Sequence, residues 1–207
     1  MTKLKSLVNG IGGTSATIKY YDDWSANYDF TLNQWNYSAP KKSINLLRKK
    51  ISYKPKKILD LACGTGLFGE ELIKFYNKSE IYGTDISKKS IIIAKKKNIY
   101  KKLYNLNYEK KINYKIKFEL VSMIGAMTYC KNYYKLFSNV KYYLLKKGHF
   151  IFSHRIDIWK KNQFDNVLEN LEEDFKIKFI SRPYNYLPRN NDFKNKIRIR
   201  LVLLQKC

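Results

Sequence analysis

The chain has 207 residues, 44% of them hydrophobic, which is enough for one well-buried core and too little for two comfortable domains. No apolar run approaches the ~20 residues of a membrane-spanning helix, and Met1 to Gly10 lacks the apolar core of a signal peptide, so a cytoplasmic protein with no membrane partner is expected. A net charge of +24 invites a nucleic-acid partner, but 35 of the 41 basic residues are scattered lysines in a chain also crowded with Asn, Ile and Tyr, all residue types with A/T-rich codons; a solvated lysine surface is therefore preferred.

Residues 1–17 contain Asn9-Gly10-Ile11-Gly12-Gly13 and read as a flexible leader before a single domain at 18–207, divided into a helical cap at 18–50 and a core at 55–207. Within the cap, Tyr21, Trp24 and Tyr28 recur at helical spacing, giving one aromatic face between Lys19 and Tyr28. A second helix is expected over Lys42 to Lys50, ending before Pro55.

Strands and helices then alternate. Ile58 to Leu61 is a short apolar strand, followed by a Gly-rich turn and a helix over Leu67 to Tyr76. Glu80 to Asp85 makes the next strand, and Ser87 caps a helix over Lys88 to Lys97. Leu103 to Asn107 is a weak third strand, Phe118 to Ile124 a buried fourth, Tyr133 to Leu145 an amphipathic helix and His149 to His154 a further strand. A last helix is expected at Phe164 to Phe175, then a strand pair at Lys176 to Ser181 and Lys196 to Leu204. This order predicts an α/β fold, doubly wound around a mostly parallel sheet with helices on both faces and antiparallel closure at one edge.

The chemistry is concentrated in Ile58-Leu59-Asp60-Leu61-Ala62-Cys63-Gly64-Thr65-Gly66, an apolar strand running into a turn of small residues that opens a helix. Gly64 and Gly66 allow the backbone to turn tightly and approach a ligand, and Ala62 is small enough to serve the same end. Gly64-Thr65-Gly66-Leu67-Phe68-Gly69 also satisfies the dinucleotide fingerprint, with Asp85 at ribose-binding distance, so an NAD-binding oxidoreductase has to be weighed. Asp60 tips the balance, because a carboxylate there suits the ammonium and sulfonium of S-adenosylmethionine and would repel a pyrophosphate.

Here the sequence resembles the class I S-adenosylmethionine-dependent methyltransferase superfamily, in its small-molecule branch, from about Lys19 to Leu204. The resemblance implies a seven-stranded Rossmann-like sheet. It also implies that Asp60 organises the methionine end, that the turn Ala62, Cys63, Gly64 to Gly66 contacts it, and that Asp85 grips the ribose hydroxyls. Tyr82-Gly83-Thr84-Asp85-Ile86-Ser87 is similar to the second family motif, with Ile86 walling the adenine pocket, and Met123 joins the cofactor residues at the end of the fourth strand. Tyr21-Asp22-Asp23-Trp24-Ser25-Ala26-Asn27-Tyr28-Asp29 is similar to the helix that such enzymes lay over the cofactor, where Tyr21 and Tyr28 enclose it. Two departures stand out: Asn107, or Asn105 after a register slip, replaces the usual adenine-binding acid, and Lys146-Lys147-Gly148-His149 replaces a Pro-Gly-Gly turn.

The acceptor is less legible. Ser122 to Cys130 holds neither an Asn/Asp-Pro-Pro-Tyr/Phe segment nor a Pro-Cys pair, which lowers a nucleic-acid substrate. Tyr129 and His154 end the fourth and fifth strands, where this architecture meets its acceptor, and are the candidate catalytic residues. Cys130 and His149 carry no such expectation. The expected protein is a methyltransferase for a small-molecule acceptor, with no metal; the alternatives are an RNA or protein methyltransferase and a non-catalytic relative that keeps the fold for interaction.

Overall fold

The central strands of this chain are buried on both sides, and their side chains sort by parity. In the computed structural model, which describes Leu7 and residues 12–113, 115–194 and 196–207, strand β1 (Lys57–Leu61) sends Leu59 and Leu61 into one core and Ile58 into another. Such near-continuous apolar runs are what a sheet covered by helices on both faces requires.

Three helices precede β1: α1 (Thr14–Trp24), α2 (Tyr28–Gln34) after a short 3₁₀ turn, and α3 (Ala39–Lys50), which starts with Pro40 in its first turn. The expected leader reached residue 17, but α1 already begins at Thr14 and buries Thr17; the rest of that expectation lies largely outside the described residues. After β1 come α4 (Leu67–Phe75), β2 (Glu80–Asp85), α5 (Lys88–Lys96), β3 (Tyr100–Asn105) and β4 (Phe118–Met123). As expected, Ser87 caps α5, its side chain accepting from the Ser90 amide at 3.0 Å. The third strand lies earlier than the apolar pattern suggested. It is the sheet's edge, where exposed Lys101 and Lys102 are tolerated and guard against further pairing.

The second half comprises α6 (Tyr133–Tyr143), β5 (Leu144–Arg155), α7 (Ile156–Lys161), α8 (Phe164–Glu169), β6 (Phe175–Ile180), β7 (Tyr184–Asn185) and β8 (Arg198–Lys206). The helix expected over 164–175 is shorter, α8 ending at Glu169 and Phe175 already belonging to the next strand, and a separate short helix, α7, precedes it across Gln163, which lies in the left-handed region. The sheet order is β3-β2-β1-β4-β5-β8-β6, with β1 to β5 parallel and β8 antiparallel to both β5 and β6. Eight strands are present where seven were expected, because two-residue β7 pairs with Ile199 and Arg198 at the margin of β8.

The chain steps outward from β1 through β2 to β3, then returns across β1 to β4. Loops leaving β1 and β4 therefore diverge, and the crevice beyond the carboxyl ends of these strands is where such sheets bind ligands. A third cluster, Trp24, Leu32, Leu187, Phe193 and Ile197 with several partly buried aromatics, packs the N-terminal helices against the β7–β8 connection.

Candidate active site

The turn after β1 and the first turn of α4 together carry three glycines with two different jobs. Gly64 has φ +56°, and a Cβ added there would meet nothing within 4 Å. It borders a cavity of about 580 Å³ at the carboxyl edge of the sheet, so any side chain would fill space left for a ligand. Gly66 and Gly69 instead make room for Tyr100, whose ring atoms would lie 3.1 Å from a Cβ on Gly66 and 2.6 Å from one on Gly69. Gly83 is crowded by the same ring at 2.9 Å. Tyr100 was not singled out from the sequence, although Gly69 and Gly83 both signalled a bulky neighbour beneath the turn.

Tyr100 donates its hydroxyl to Asp60 Oδ2 at 2.9 Å, and Ser122 donates to Oδ1 at 2.8 Å. Asp60 is only 1% exposed, and burial pushes its carboxyl up to about 7, with the two hydrogen bonds pulling it back. It sits beneath the turn and outside the cavity lining, so the charge argument that separated it from a dinucleotide site does not operate at the wall. Asp85 does line the cavity. Its Oδ2 accepts from the Gly64 amide and its Oδ1 from the Ser87 amide, both at 2.8 Å, while burial raises its carboxyl to about 6. Each oxygen keeps a second acceptor direction, the arrangement a vicinal diol needs.

The aromatic cap closes one side. Tyr21 and Tyr28 line the cavity, and Tyr21 donates to the Tyr129 hydroxyl at 2.9 Å. Asp22 anchors α1 by accepting from the Ser87 hydroxyl at 2.6 Å and the Lys89 amide at 3.1 Å. Asp29 accepts from Thr65 of the glycine turn and pairs with Lys97 at 2.6 Å. Trp24 faces away, packed on Tyr28 and Trp35.

Of the remaining expected residues, Ala62, Ile86, Asn107 and Tyr129 line the cavity. Asn107 Oδ1 is committed to its own turn, accepting from the Glu109 amide at 2.8 Å; Asn105 Nδ2 donates to the Asp85 and Ile86 carbonyls and props the end of β2. Cys63, Gly66 and Met123 lie behind the wall, with Met123 fully buried. His154 is also displaced from the cavity. It is 1% exposed among Tyr133, Trp159 and Phe164, its Nε2 3.2 Å from the Tyr133 hydroxyl, and burial drives its pKa down to about 3. Strand alternation explains this: Arg155, one residue on, reaches the cavity and His154 points into the core. Cys130 lines the cavity, but burial holds its thiol up at about 12, and His149 pairs with Tyr53 at 2.9 Å away from the site. Glu109, Lys131, Arg155 and Lys161 also line it and were not anticipated. Among the described residues no cluster of three His, Cys, Asp or Glu side chains could hold a metal, and no helix is long and apolar enough to cross a membrane.

Fold and cavity together are those of a Rossmann-like protein with a ligand site at the carboxyl edge of its sheet. Residues 53–192 match the family described as "Methyltransferase domain". The chain belongs to this family, and thereby to the class I S-adenosylmethionine-dependent methyltransferases. Methyltransferase-like protein 27 of Homo sapiens is 28% identical over 124 residues, covering 58% of this chain and 50% of that protein, so the match spans about half of this curated relative. Among solved structures, the plantazolicin methyltransferase BpumL, in complex with a pentazolic desmethylPZN analog and S-adenosylhomocysteine, superposes with a TM-score of 0.64 at 16% identity over 89% of this chain and 90% of that one. The N-methyltransferase NodS from Bradyrhizobium japonicum gives 0.58 at 14% identity over 80% and 94%. At such identities the structural likeness is one of fold.

Proposed function

We propose that this protein transfers a methyl group from S-adenosylmethionine to a small-molecule acceptor. The observation that carries the reading is the pairing of Gly64, whose missing side chain leaves the cavity open, with Asp85, whose two oxygens are held by the Gly64 and Ser87 amides. Bound there, the cofactor supplies an electrophilic methyl on a sulfonium. Asp85 would accept from the ribose hydroxyls, Ile86 would pack on the adenine, and the backbone from Ala62 to Gly64 would border the methionine portion. Tyr21 and Tyr28 would lay ring faces beside the cation and exclude water from it.

Displacement at a sulfonium depends chiefly on holding a nucleophile close, in line and dry, so heavy acid–base machinery is not required. Tyr129, hydrogen-bonded to the cap through Tyr21, is the catalytic candidate retained at the wall, as a positioner of the acceptor. The partly closed cavity under an aromatic helix supports a small acceptor over a polynucleotide, and the scattered lysines supply no base-stacking track. Calorimetry with S-adenosylhomocysteine and NADH tests the reading: micromolar-range binding of the first and none of the second is expected, and the reverse would return the turn to the dinucleotide class.

A further inference from the structure

The end of the cavity away from Asp85 is cationic by construction. Helix α7 follows β5 directly: Arg155, the last residue of β5, reaches the cavity from the strand end, and Ile158 and Lys161, three residues apart on one face of α7, line it beside Arg155. Across from them, the segment after β4 contributes Thr128 and Lys131. Glu109 is the only acid lining the cavity besides Asp85 among the described residues. Lys131 and Lys161 are exposed at the rim, but Arg155 is 3% exposed. Its Nε donates to Asp157 at 3.0 Å, its Nη2 donates to the same carboxylate, and its Nη1 donates to the Leu7 carbonyl at 3.0 Å. The Asp157 side chain is 41% exposed, so it fixes the orientation of the guanidinium while water screens part of its countercharge. A guanidinium held in place at the wall of a partly open cavity, with Lys131 and Lys161 on the same wall, favours a ligand that brings negative charge with it.

We propose that the methyl acceptor carries a carboxylate or phosphate, and that Lys161, Lys131 and Arg155 receive this anionic group at the end of the cavity opposite Asp85. The inference rests on the methyltransferase reading for what the acceptor is, but the anion site stands on its own residues. It also orients the acceptor: an anion anchored on α7 leaves the far end of the molecule, with its nucleophilic atom, directed toward Tyr129 and the cofactor half.

The test uses the full chain with benzoate, inorganic phosphate and neutral benzamide as probes, titrated by calorimetry with and without saturating S-adenosylhomocysteine. At least one anion should bind about tenfold or more tightly than benzamide. The preferred anion separates a carboxylate-bearing acceptor from a phosphate-bearing one. Lys161→Glu should weaken the anion about tenfold and leave S-adenosylhomocysteine affinity within about twofold. Arg155→Lys, which keeps the charge but loses the fork, should weaken the anion while sparing the cofactor product. Equal binding of benzoate, phosphate and benzamide, or an unchanged anion affinity in Lys161→Glu, would overturn the proposal. So would an Arg155→Lys protein that loses S-adenosylhomocysteine and keeps the anion, because that guanidinium would then serve the cofactor's own carboxylate. Absence of S-adenosylhomocysteine binding in the unmutated chain would instead sink the methyltransferase reading, while the anion titrations without it would still report on this site.

Discussion

At the Gly64 end, the cavity wall is backbone, shaped by a buried tyrosine and by two carboxylates below and beside the turn; at the Lys161 end, it is made of side chains from the end of β5, the six-residue helix α7 and the 3₁₀ turn Met127–Tyr129. The two ends answer to different constraints. Backbone conformation restricts which residues are admissible, so the first end announces itself in glycines and strand-terminal acids. The second depends on which way a helix face turns, and almost any residue can stand there. The cofactor half is therefore the part of the molecule that backbone geometry constrains most, and the acceptor half is where side chains can change without disturbing the fold.

The sharpest way to break this comparison is to exchange its glycines. Gly69→Ala places a Cβ against Tyr100, whose ring is fixed by Asp60, and should destabilise the fold by about 3 kcal/mol, read in urea unfolding. Gly64→Ala meets no neighbour and should cost only about 1 kcal/mol of backbone strain, yet weaken S-adenosylhomocysteine severely because its methyl enters the cradle. If both substitutions affected stability alone, Gly64 would be a packing glycine like Gly69 and the cradle would lose its support.

Asp85→Ala comes next. Loss of a charged acceptor for two ribose hydroxyls should weaken S-adenosylhomocysteine by about 2 kcal/mol, roughly thirtyfold, in a protein that still folds. Binding by the unmutated protein should also decline as pH falls below about 6, since the hydroxyls prefer the ionised carboxylate. Affinity that is flat from pH 7 to 5 would place the ribose elsewhere.

Most strands, the turn carrying Gly64 and the acid Asp85 that ends β2 were legible because apolar runs, glycines and caps act locally. Three things were not. His154 and Arg155 are neighbours on one strand, and only the register of β5 decides which side chain reaches the cavity. Asp60 reads as a ligand group, yet Tyr100 from another strand claims it, a contact 40 residues apart that no local pattern encodes. Arg155, Ile158 and Lys161 straddle the end of β5 and α7, a helix too short to impose a clear period.

Asp60 gives a further test of the packed end. Its folded-state pKa of about 7 lies above the unfolded value of ~3.9, so the native state binds the extra proton and stability falls as pH rises from about 4 to about 7, then levels. Asp85, raised to about 6 in the ligand-free protein, adds a loss of the same sign that ends near that pH. The slope from either group is at most about 1.4 kcal/mol per pH unit. Asp60→Asn should flatten the part between about pH 6 and 7, measured by denaturant unfolding across that range. An unaltered slope would show that Asp60 stays ionised, held by Tyr100 and Ser122.

The smallest expected effect probes the seam where the two halves meet. Tyr21 belongs to the cap and Tyr129 to the acceptor wall, and a single hydroxyl-to-hydroxyl bond of 2.9 Å joins them. Tyr21→Phe keeps the ring beside the cofactor and removes only that donor, so its cost should be that of one neutral hydrogen bond, about 1 kcal/mol, seen as a fivefold or so weaker S-adenosylhomocysteine affinity. Because Tyr129→Phe deletes the same bond from the other side, the double variant should cost little more than either single one. Strict additivity would mean that each hydroxyl meets the ligand by itself. No effect from either change would reduce Tyr21 to a packing residue of α1 and leave the cap held by Asp22, Asp29 and the cluster of Trp24 and Phe193, a cover that shields the cavity without sensing what occupies it.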